Sequence, residues 1–239
     1  VKTARPEGLQ SVDWVTNGVG RKVSHSFGYG LMDAAAMVKE AVNWTTVPRQ
    51  HMCSIQYRGG SRVIPSNEVA SLTLYSDGCQ NTPHEVIYLE HVQAIITLTA
   101  MRRGEVRIYL TSPAGTRSTL LAQRVRDRST EGFDNWAFMT THSWGEHSVG
   151  TWTLEVEVGD TQAEVRNWSL VLYGTSSDPY RGHPGHVGDA GQNYPGNDAG
   201  VNPFSSARAV GGYTSHLWTL LGALSCSCLL HRLWLQCPT

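Results

Sequence analysis

The sequence predicts a mainly β protein whose central part is an antiparallel β-sandwich. Between residues 48 and 178, several short segments are rich in β-branched residues or alternate apolar with polar side chains, as half-buried strands do. Residues typical of turns separate these segments. Because each alternating strand has one polar face, the strands are expected to pair antiparallel in two packed layers.

One helix is predicted ahead of the sandwich, over residues 31–42. Apolar residues recur there at the spacing of one helical face, at Leu31, Ala34, Ala35, Val38 and Val42. Asp33 is a suitable N-cap residue, and Pro48 prevents the helix from continuing. Residues 1–30 are polar at first and then rich in glycine, so they are expected to be irregular.

The later strands can be placed individually. Val86–Thr99 is too long for one simple strand and is expected to form two strands or a bent one. Residues 105–122 predict a hairpin, because Ser112-Pro113-Ala114-Gly115 has proline and glycine where a type I turn prefers them. Thr151–Val158 alternates apolar and polar residues without a break, and Trp168–Tyr173 is the last predicted strand.

The charge balance excludes two classes of function. The chain has 239 residues, and 19 basic against 20 acidic residues give a formal net charge of -1. This charge excludes a basic nucleic-acid-binding footprint over the whole chain, and equally a polybasic membrane-surface protein. No nucleic-acid partner is therefore expected. Val1 is not methionine and no leader follows it, so the sequence is expected to be a fragment, a processed product or an incomplete gene model.

The C-terminal part differs in composition from the rest of the chain. Residues 182–212 contain eight glycines and three prolines but few large apolar residues, which predicts a linker or disorder. Residues 217–235 are apolar over nearly the length that spans a bilayer, although His231 and Arg232 interrupt them. Three interpretations of this tail stay open: a membrane segment, a signal resembling that for a lipid anchor, or translated non-coding sequence.

No pattern in the sequence predicts a catalytic or metal-binding site. Ser24, His25 and Asp33 have the residue types of a serine-protease triad, but the sequence lacks a nucleophile elbow. His142 and His147 are not spaced as a converging set of ligands. The chain is therefore expected to contain no catalytic, cofactor-binding or metal-binding residues.

Glycines, arginines and tryptophans receive structural interpretations. Gly18-x-Gly20 lacks the preceding strand and the third glycine of a phosphate-binding loop. Arg102-Arg103-Gly104 predicts a solvated bend in which Gly104 has a positive φ. Six tryptophans are expected to pack in the core rather than to bind sugars: Trp14, Trp44, Trp136, Trp144, Trp152 and Trp168.

The five cysteines fall into two groups. Cys53 and Cys79 lie in the strand-rich region, where they form either a disulfide, which would stabilise the fold by roughly 3 kcal/mol, or two partly buried thiols. Cys226, Cys228 and Cys237 lie in the apolar tail and lack the second ligand pair of a zinc site. The residues alone leave both alternatives for Cys53 and Cys79 open.

Two triplets fit the acceptor pattern for N-linked glycans, at Asn43-Trp44-Thr45 and at Asn167-Trp168-Ser169. Asn43 falls where the predicted helix gives way to a loop, so its side chain is expected to be accessible. Asn167 begins a predicted strand whose Trp168 is expected to point inward. Asn43 alone is therefore the predicted glycosylation site.

Seven segments resemble, in the same order, segments of the kexin- and furin-like proprotein convertases, which are subtilisin-like serine proteases. The end of their catalytic domain is similar to residues 17–35, NGVGRKVSHSFGYGLMDAA, and its junction with the P domain (also called Homo B) is similar to residues 43–53, NWTTVPRQHMC. Successive P-domain motifs are similar to residues 88–99, 102–122, 131–146, 150–156 and 167–175. The resemblance covers nearly all of residues 1–178.

The resemblance implies a domain plan. Residues 1–47 would end a subtilisin-like α/β catalytic domain, with 31–42 as its closing helix. Residues 48–178 would form the P domain, a jelly-roll-like antiparallel β-sandwich. For the rest of the chain, the composition predicts a Gly/Pro-rich disordered linker over residues 179–216 and an apolar tail over residues 217–239.

The resemblance also implies single-residue features and a location. Cys53 and Cys79 match cysteines that pair in the family, and Asn43 matches a family glycan site. Members of the family live in the secretory pathway, so this chain is expected in the Golgi, at the cell surface or outside the cell. A membrane contact through residues 217–235 is an alternative that stays open.

The implied function is that of a calcium-dependent serine endopeptidase that processes secretory precursors after paired basic residues. The family's catalytic residues and calcium ligands match no position in this chain. The chain alone is therefore expected to be inactive, and its intramolecular partner is expected to be the catalytic domain that it stabilises. The alternative is a non-catalytic β-sandwich that serves as a binding module, either free or tethered to a membrane.

Overall fold

The computed structural model describes residues 1–181. In chain order, the helix and strands of that range are β1 (Val15–Thr16), β2 (Lys22–Val23), α1 (Ala34–Val42), β3 (His51–Gln56), β4 (Arg62–Ile64), β5 (Val69–Ser76), β6 (Tyr88–Ala100), β7 (Val106–Thr111), β8 (Arg117–Leu121), β9 (Phe133–Thr140), β10 (Gly150–Val158) and β11 (Ala163–Thr175). A short 3-10 helix, Arg103–Glu105, precedes β7.

The strands from β3 onward form two antiparallel sheets. One sheet has the order β5-β10-β7-β8, and the other has the order β3-β11-β6-β9, with β4 also paired to β11. On one side of the sandwich, the edge strands β8 and β9 meet through a hydrogen bond between the hydroxyls of Ser118 and Thr140 (2.6 Å). This architecture confirms the predicted β-sandwich, and β1 and β2 form a separate small hairpin before it.

The core lies between the two sheets and contains the residues that strand alternation places inward. On β10 these are Trp152, Leu154, Val156 and Val158, each at most 2% exposed. Trp168 on β11 is also fully buried. The indole N–H of Trp152 donates to the carbonyl oxygen of Ser148 (3.1 Å), so its one polar group is satisfied inside the core.

The helix α1 begins at Ala34, three residues later than predicted. Asp33 is its N-cap, because its carboxylate accepts a hydrogen bond from the backbone N–H of Ala36 (2.9 Å). The helix ends at Val42, as predicted, and Asn43 is its C-cap. The predicted capping residue therefore sets the first helical position, while the apolar residue Leu31 lies ahead of the helix.

The region Val86–Thr99 contains one strand, β6, where two strands or a bend were expected. The reason is that β11 has the same length of 13 residues and pairs with β6 from end to end. The irregularity lies in that pairing, where the register shifts between Val165 and Asn167 and again between Tyr173 and Gly174.

Arg102-Arg103-Gly104 is not the predicted solvated bend. Gly104 is buried and lacks the expected positive φ. A Cβ at this position would lie 2.2 Å from the carbonyl oxygen of Arg124 and 2.3 Å from that of Asp127. Glycine is therefore required here by close backbone packing. The Arg103 guanidinium pairs with the Asp127 carboxylate (2.8 Å) and, with other donors, holds the pKa of that carboxyl well below its usual range.

Two of the six tryptophans are exposed, so the core prediction is wrong for them. Trp44 is 43% exposed and Trp136 is 55% exposed. Trp136 lies on β9, which has only one neighbour in its sheet. Its ring contacts those of Phe133 and Phe138, with centroids 5.9 and 6.4 Å away, and leaves the rest of its surface in solvent.

Several sequence predictions lie outside the described residues. These are the linker over 182–212, the apolar tail over 217–235 and the tail cysteines Cys226, Cys228 and Cys237. Within residues 1–181, no helix has the length and apolar character needed to cross a membrane.

A disulfide joins Cys53 to Cys79. Cys53 lies on β3 and is 1% exposed, whereas Cys79 follows β5 and is half-buried. Because β3 and β5 are edge strands of different sheets, the bond links the two layers on the side of the sandwich opposite β8 and β9. Of the two alternatives that the sequence left open, the structure therefore contains the disulfide.

Removal of this disulfide is expected to lower the free energy of unfolding by about 3 kcal/mol, because the unfolded chain gains conformational freedom. The double variant Cys53→Ala/Cys79→Ala should be compared with the parent by urea unfolding. Both chains should carry serine at Cys226, Cys228 and Cys237, so that only one pair of thiols differs. A loss smaller than about 1 kcal/mol would show that the bond adds little to the link between the sheets.

Candidate anchoring interface

Glu146 carries a buried carboxylate in the loop between β9 and β10, and only 1% of the residue is exposed. Its oxygens accept hydrogen bonds from the hydroxyls of Ser112 (2.5 Å) and Thr116 and from the backbone N–H of Gly18 (2.7 Å). A buried charge is tolerated only with such partners, and hydrogen bonds to an ionised group are the strong ones. The carboxylate therefore joins the β7–β8 turn to the N-terminal segment.

Backbone hydrogen bonds hold the loop that carries Glu146. Its N–H donates to the carbonyl oxygen of Ser143 (3.0 Å), and its own carbonyl oxygen accepts from the N–H of Leu89 (2.9 Å). The N–H of Gly145 donates to the carbonyl oxygen of Leu89 (2.7 Å). Gly145 has a φ of 86°, which is accessible mainly to glycine. The start of β6 thus fixes this loop, so that the Glu146 side chain turns inward.

Asn17 begins the turn between β1 and β2 and uses both ends of its side-chain amide. Its Nδ2 donates to the carbonyl oxygens of His142 (3.0 Å) and Trp144 (3.2 Å), on the loop next to Glu146. Its Oδ1 accepts from the backbone N–H groups of Val19 (3.2 Å) and Arg21 (2.9 Å). One end of the amide therefore shapes the turn, and the other end binds the sandwich.

Gly18 lies too close to the sandwich for any side chain. A Cβ at this position would come within 2.3 Å of the Cβ of Ala114 and 3.2 Å of the Glu146 carboxyl carbon. The Gly18 N–H also lies 3.0 Å from Oγ1 of Thr116. Glycine at this position thus lets the backbone reach a protein carboxylate directly.

Tyr29 and His25 extend the contact beyond the turn. The Tyr29 hydroxyl donates to the carbonyl oxygens of Thr141 (2.5 Å) and His142 (3.2 Å). Burial raises the pKa of Tyr29, so it remains a donor. The rings of His25 and His142 lie 4.3 Å apart, and Nε2 of His25 accepts from the backbone N–H of Thr119 (3.2 Å).

We call five of these residues the N-terminal anchor: Asn17, Gly18, His25, Tyr29 and Glu146. Their contacts between the N-terminal segment and the sandwich are directional hydrogen bonds between residues more than 90 positions apart in sequence, together with one ring contact. The arrangement contains no nucleophile aligned with a base. These contacts hold the first 30 residues in one position on the sandwich.

The structure separates the residues that share the types of a catalytic triad. Ser24 donates its hydroxyl to the Asp13 carboxylate (2.9 Å), and hydrogen bonds from serines, chiefly Ser11, hold the pKa of Asp13 below its usual range. Asp33 caps α1 and pairs with Arg5 (3.3 Å). His25 faces the sandwich instead.

No calcium site is assigned to this part of the chain. Among residues 1–181, no three His, Cys, Asp or Glu side chains are grouped so that they could hold a metal ion. His142 and His147 do not converge, since the ring of His142 faces His25 and that of His147 lies 4.9 Å from the ring of Tyr88. Asn43, the predicted glycan site, is exposed at the end of α1.

Sequence reasoning did not single out Glu146, Asn17 or Tyr29. The Asn17-Gly18 dipeptide is a typical signal for a tight turn between two strands, and it would have placed the β1–β2 turn. Glu146 and Tyr29 have no comparable local signal, because all their side-chain partners are distant in sequence.

In contrast to the N-terminal anchor, α1 is open to solvent. No residue of α1 is buried. Its large apolar side chains Met37, Val38 and Val42 are 46%, 67% and 77% exposed, and Leu31 and Met32 just before it are 56% and 71% exposed. The N-terminal anchor is therefore followed by a helix whose large apolar side chains are exposed, although Glu40 of this helix pairs with Lys2.

Residues 89–172 match the family model of the proprotein convertase P-domain. The chain carries the P domain of a furin-like proprotein convertase. The match extends along the sandwich from the start of β6 into β11, and the Glu146 loop lies within it.

Curated relatives support this assignment. The chain is 52% identical to proprotein convertase subtilisin/kexin type 5 of Rattus norvegicus over 75% of its own length and 10% of the relative's. It is 47% identical to type 6 of Homo sapiens, with 78% and 20% covered, and 49% identical to furin of Rattus norvegicus, with 74% and 23% covered. The chain thus spans less than a quarter of the length of these relatives.

Two solved structures share the fold of this P domain. They are the serine protease of Aeromonas sobria (TM-score 0.55) and the same protease in complex with the chaperone ORF2 (TM-score 0.57). Each is 24% identical to this chain and aligns with 68% and 69% of it, respectively, but with only 33% of the protease. At this identity the likeness concerns the fold alone.

Glu146→Gln is expected to lower the free energy of unfolding by about 1–3 kcal/mol, because the buried hydrogen bonds lose their ionised acceptor. Urea unfolding measures the loss, and trypsin digestion should release residues 1–30 faster from the variant. Glu155→Gln is the matched control. It removes a surface pair with Arg117 (3.0 Å), so its loss should stay below about 1 kcal/mol. Equal losses in the two variants would contradict the role of Glu146.

The interface is also expected to weaken in mild acid. Burial, aided by His25, lowers the pKa of His142 from 6.5 to about 4, although Asp13 opposes this shift. Nε2 of His142 is buried and has no hydrogen-bond partner in the described structure. Because the unfolded state binds a proton near pH 6.5 and the folded state does not, stability is full above that pH and falls as the pH decreases toward about 4.

The test compares unfolding free energies at about pH 7.5 and about pH 5.5, where His142 should contribute a loss of about 1 kcal/mol. The His142→Phe variant should lose this part of the pH dependence. Some dependence should remain, because burial also lowers the pKa of His91. An unchanged pH dependence in His142→Phe would contradict the assignment. Asp13 and Asp127 titrate well below this range and do not interfere.

Proposed function

We propose that this chain supplies the P domain and the closing segment of the catalytic domain of a calcium-dependent serine endopeptidase. The whole enzyme would process secretory precursors after paired basic residues. In this proposal the role of the chain is mechanical: residues 48–178 support a subtilisin-like domain to which residues 1–47 belong.

The observation that carries the proposal is the exposure of α1. A helix with one broad apolar side packs that side against a neighbouring body, and Ala34–Val42 contains only two charged residues, Lys39 and Glu40. Exposed apolar side chains grouped in this way mark a contact surface. A subtilisin-like domain packed against the apolar side of α1 accounts for this exposure.

The N-terminal anchor explains how the sandwich would act on that domain. Asn17, Tyr29 and Glu146 fix residues 17–29 to the sandwich, and α1 follows five residues later. Burial of even about 1,000 Å² of apolar surface contributes a gross of about 25 kcal/mol before entropy costs. Support of this size is enough to decide whether the catalytic domain stays folded.

The location in the secretory pathway is supported by the Cys53–Cys79 disulfide. Structural disulfides persist in oxidising compartments and are rare in the cytosol. Calcium dependence and cleavage after paired basic residues belong to the proposed whole enzyme, and they come to this chain by analogy with its furin-like relatives. Residues 1–181 contribute no group of metal ligands to it.

Val38→Glu tests the proposal, because Val38 is 67% exposed. In the chain alone, the substitution should change the free energy of unfolding by less than about 0.5 kcal/mol. In a fusion that places the subtilisin-like domain of a furin relative before Val1, the same charge would be buried without a partner. Secreted calcium-dependent activity on a fluorogenic Arg-X-Lys-Arg substrate should then fall at least about tenfold.

Lys39→Glu is the control for that experiment, since it also adds negative charge on α1 but replaces a polar residue. It should leave both the chain and the fusion close to their parents. The chain without the added domain should hydrolyse no substrate. Full activity of the Val38→Glu fusion would count against an enclosed α1 and would favour the P domain as an independent binding module.

A further inference from the structure

We infer that Asn167 is a second acceptor for an N-linked glycan, placed on the outer face of the five-stranded sheet. The inference rests on the proposed secretory function, because the modifying enzyme acts in that pathway. The triplet Asn167-Trp168-Ser169 supplies the pattern. The sequence alone argued against Asn167 because of its predicted place at the start of a strand.

The structure changes that expectation through a β-bulge. In the pairing of β11 with β6, Val165 lies opposite Leu98 and Asn167 lies opposite Thr97, so Arg166 is an extra residue. Such a bulge reverses the alternation of faces beyond it. Val165 is 1% exposed and Trp168 is fully buried, while Arg166 and Asn167 between them are both exposed. Asn167 therefore faces solvent because Trp168 faces the core.

The side chain of Asn167 presents its reactive nitrogen freely. Its Oδ1 accepts a hydrogen bond from Nε2 of Gln56 on the neighbouring strand β3 (2.5 Å). Within residues 1–181, its Nδ2 has no acceptor. Ser169 lies two residues further along β11, on the same face, and is half-buried. The amide and the hydroxyl of the acceptor pattern thus share the outer surface.

The modification is a group transfer. The amide nitrogen of Asn167 would form a bond to the anomeric carbon of an oligosaccharide carried on a polyprenyl diphosphate. The bond between that carbon and the diphosphate oxygen breaks, and the polyprenyl diphosphate leaves with the electron pair. One amide proton passes to a base of the transferase. No oxidation or reduction takes place, and the donor is the only co-reactant.

A glycan at Asn167 would leave the N-terminal anchor free. The anchor contacts the start of β6, where Leu89 bonds to Gly145 and Glu146. Thr97, opposite Asn167, lies eight residues further along β6, which is roughly 26 Å at the rise of a strand. The glycan would therefore project from the other end of the sheet, and the proposed packing of the catalytic domain is compatible with it.

The chain contains its own comparison site. Asn135-Trp136-Ala137 on β9 has an exposed asparagine followed by tryptophan, on the same sheet, but alanine replaces the hydroxyl residue. Exposure and a following tryptophan are thus common to Asn135 and Asn167, and the hydroxyl is present only at Ser169. The inference requires sugar at Asn167 and none at Asn135.

The experiment uses the full chain of 239 residues, expressed behind a cleavable signal peptide in animal cells with Asn43→Gln, so that the glycan site predicted from sequence is absent. Treatment with a peptide N-glycosidase should increase the electrophoretic mobility of the secreted protein. Mass spectrometry should then find aspartate at position 167 and unchanged asparagine at position 135. Ser169→Ala should remove the mobility shift while keeping Asn167, and Ser169→Thr should restore it.

Unmodified Asn167 in the secreted Asn43→Gln protein would overturn the inference. Mass spectrometry of the parent chain, in which Asn43 is intact, distinguishes the possible reasons for an unmodified Asn167. Sugar at Asn43 with none at Asn167 rejects this inference alone, whereas sugar at neither position rejects both glycan assignments. The proposed enzymatic role is judged by the activity of the Val38→Glu fusion, a different measurement, so the two failures are distinguishable.

Discussion

The arrangement of residues 1–47 depends on the hydrogen bonds that the buried carboxylate of Glu146 accepts. Its donors come from two places, the β7–β8 turn through Ser112 and Thr116, and the N-terminal turn through Gly18. If the N-terminal segment left the sandwich, the carboxylate would lose its one backbone donor and would have to be solvated again. The conformation of the loop around Glu146 and the position of the N-terminal segment are therefore coupled.

The strands could be predicted from the sequence because side-chain alternation is a local signal. The inward set of β10 and the β7–β8 turn at 112–115 follow from residues next to each other in the chain. Asp33 was likewise recognisable as an N-cap residue, although the predicted start at residue 31 is three residues too early. The length of β6 could not be predicted, because it depends on the equally long partner β11, which occurs more than 60 residues later.

Three of the features that sequence reasoning missed are set by contacts between residues distant in sequence. Gly104 is required by the carbonyl groups of Arg124 and Asp127, not by its own φ. Glu146 has no local sign of burial, since its partners are between 30 and 128 residues away. Asn167 is exposed because of one extra residue in β11 relative to β6. Bulges and buried charges depend on the assembled sheets, so single-sequence patterns do not contain them.

The two surfaces of residues 1–47 provide different kinds of interaction. Hydrogen bonds have preferred distances and angles, so Asn17, Tyr29 and Glu146 define one position of the segment on the sandwich. Burial of apolar surface is non-directional and scales with area, so in the proposed enzyme the exposed side chains of α1 would supply stabilisation without specifying an orientation. Directional hydrogen bonds next to an apolar surface would let the P domain both position and stabilise the proposed catalytic domain. Neither surface could both position and stabilise that domain alone, because the N-terminal anchor is small and the apolar side chains of α1 impose no preferred orientation.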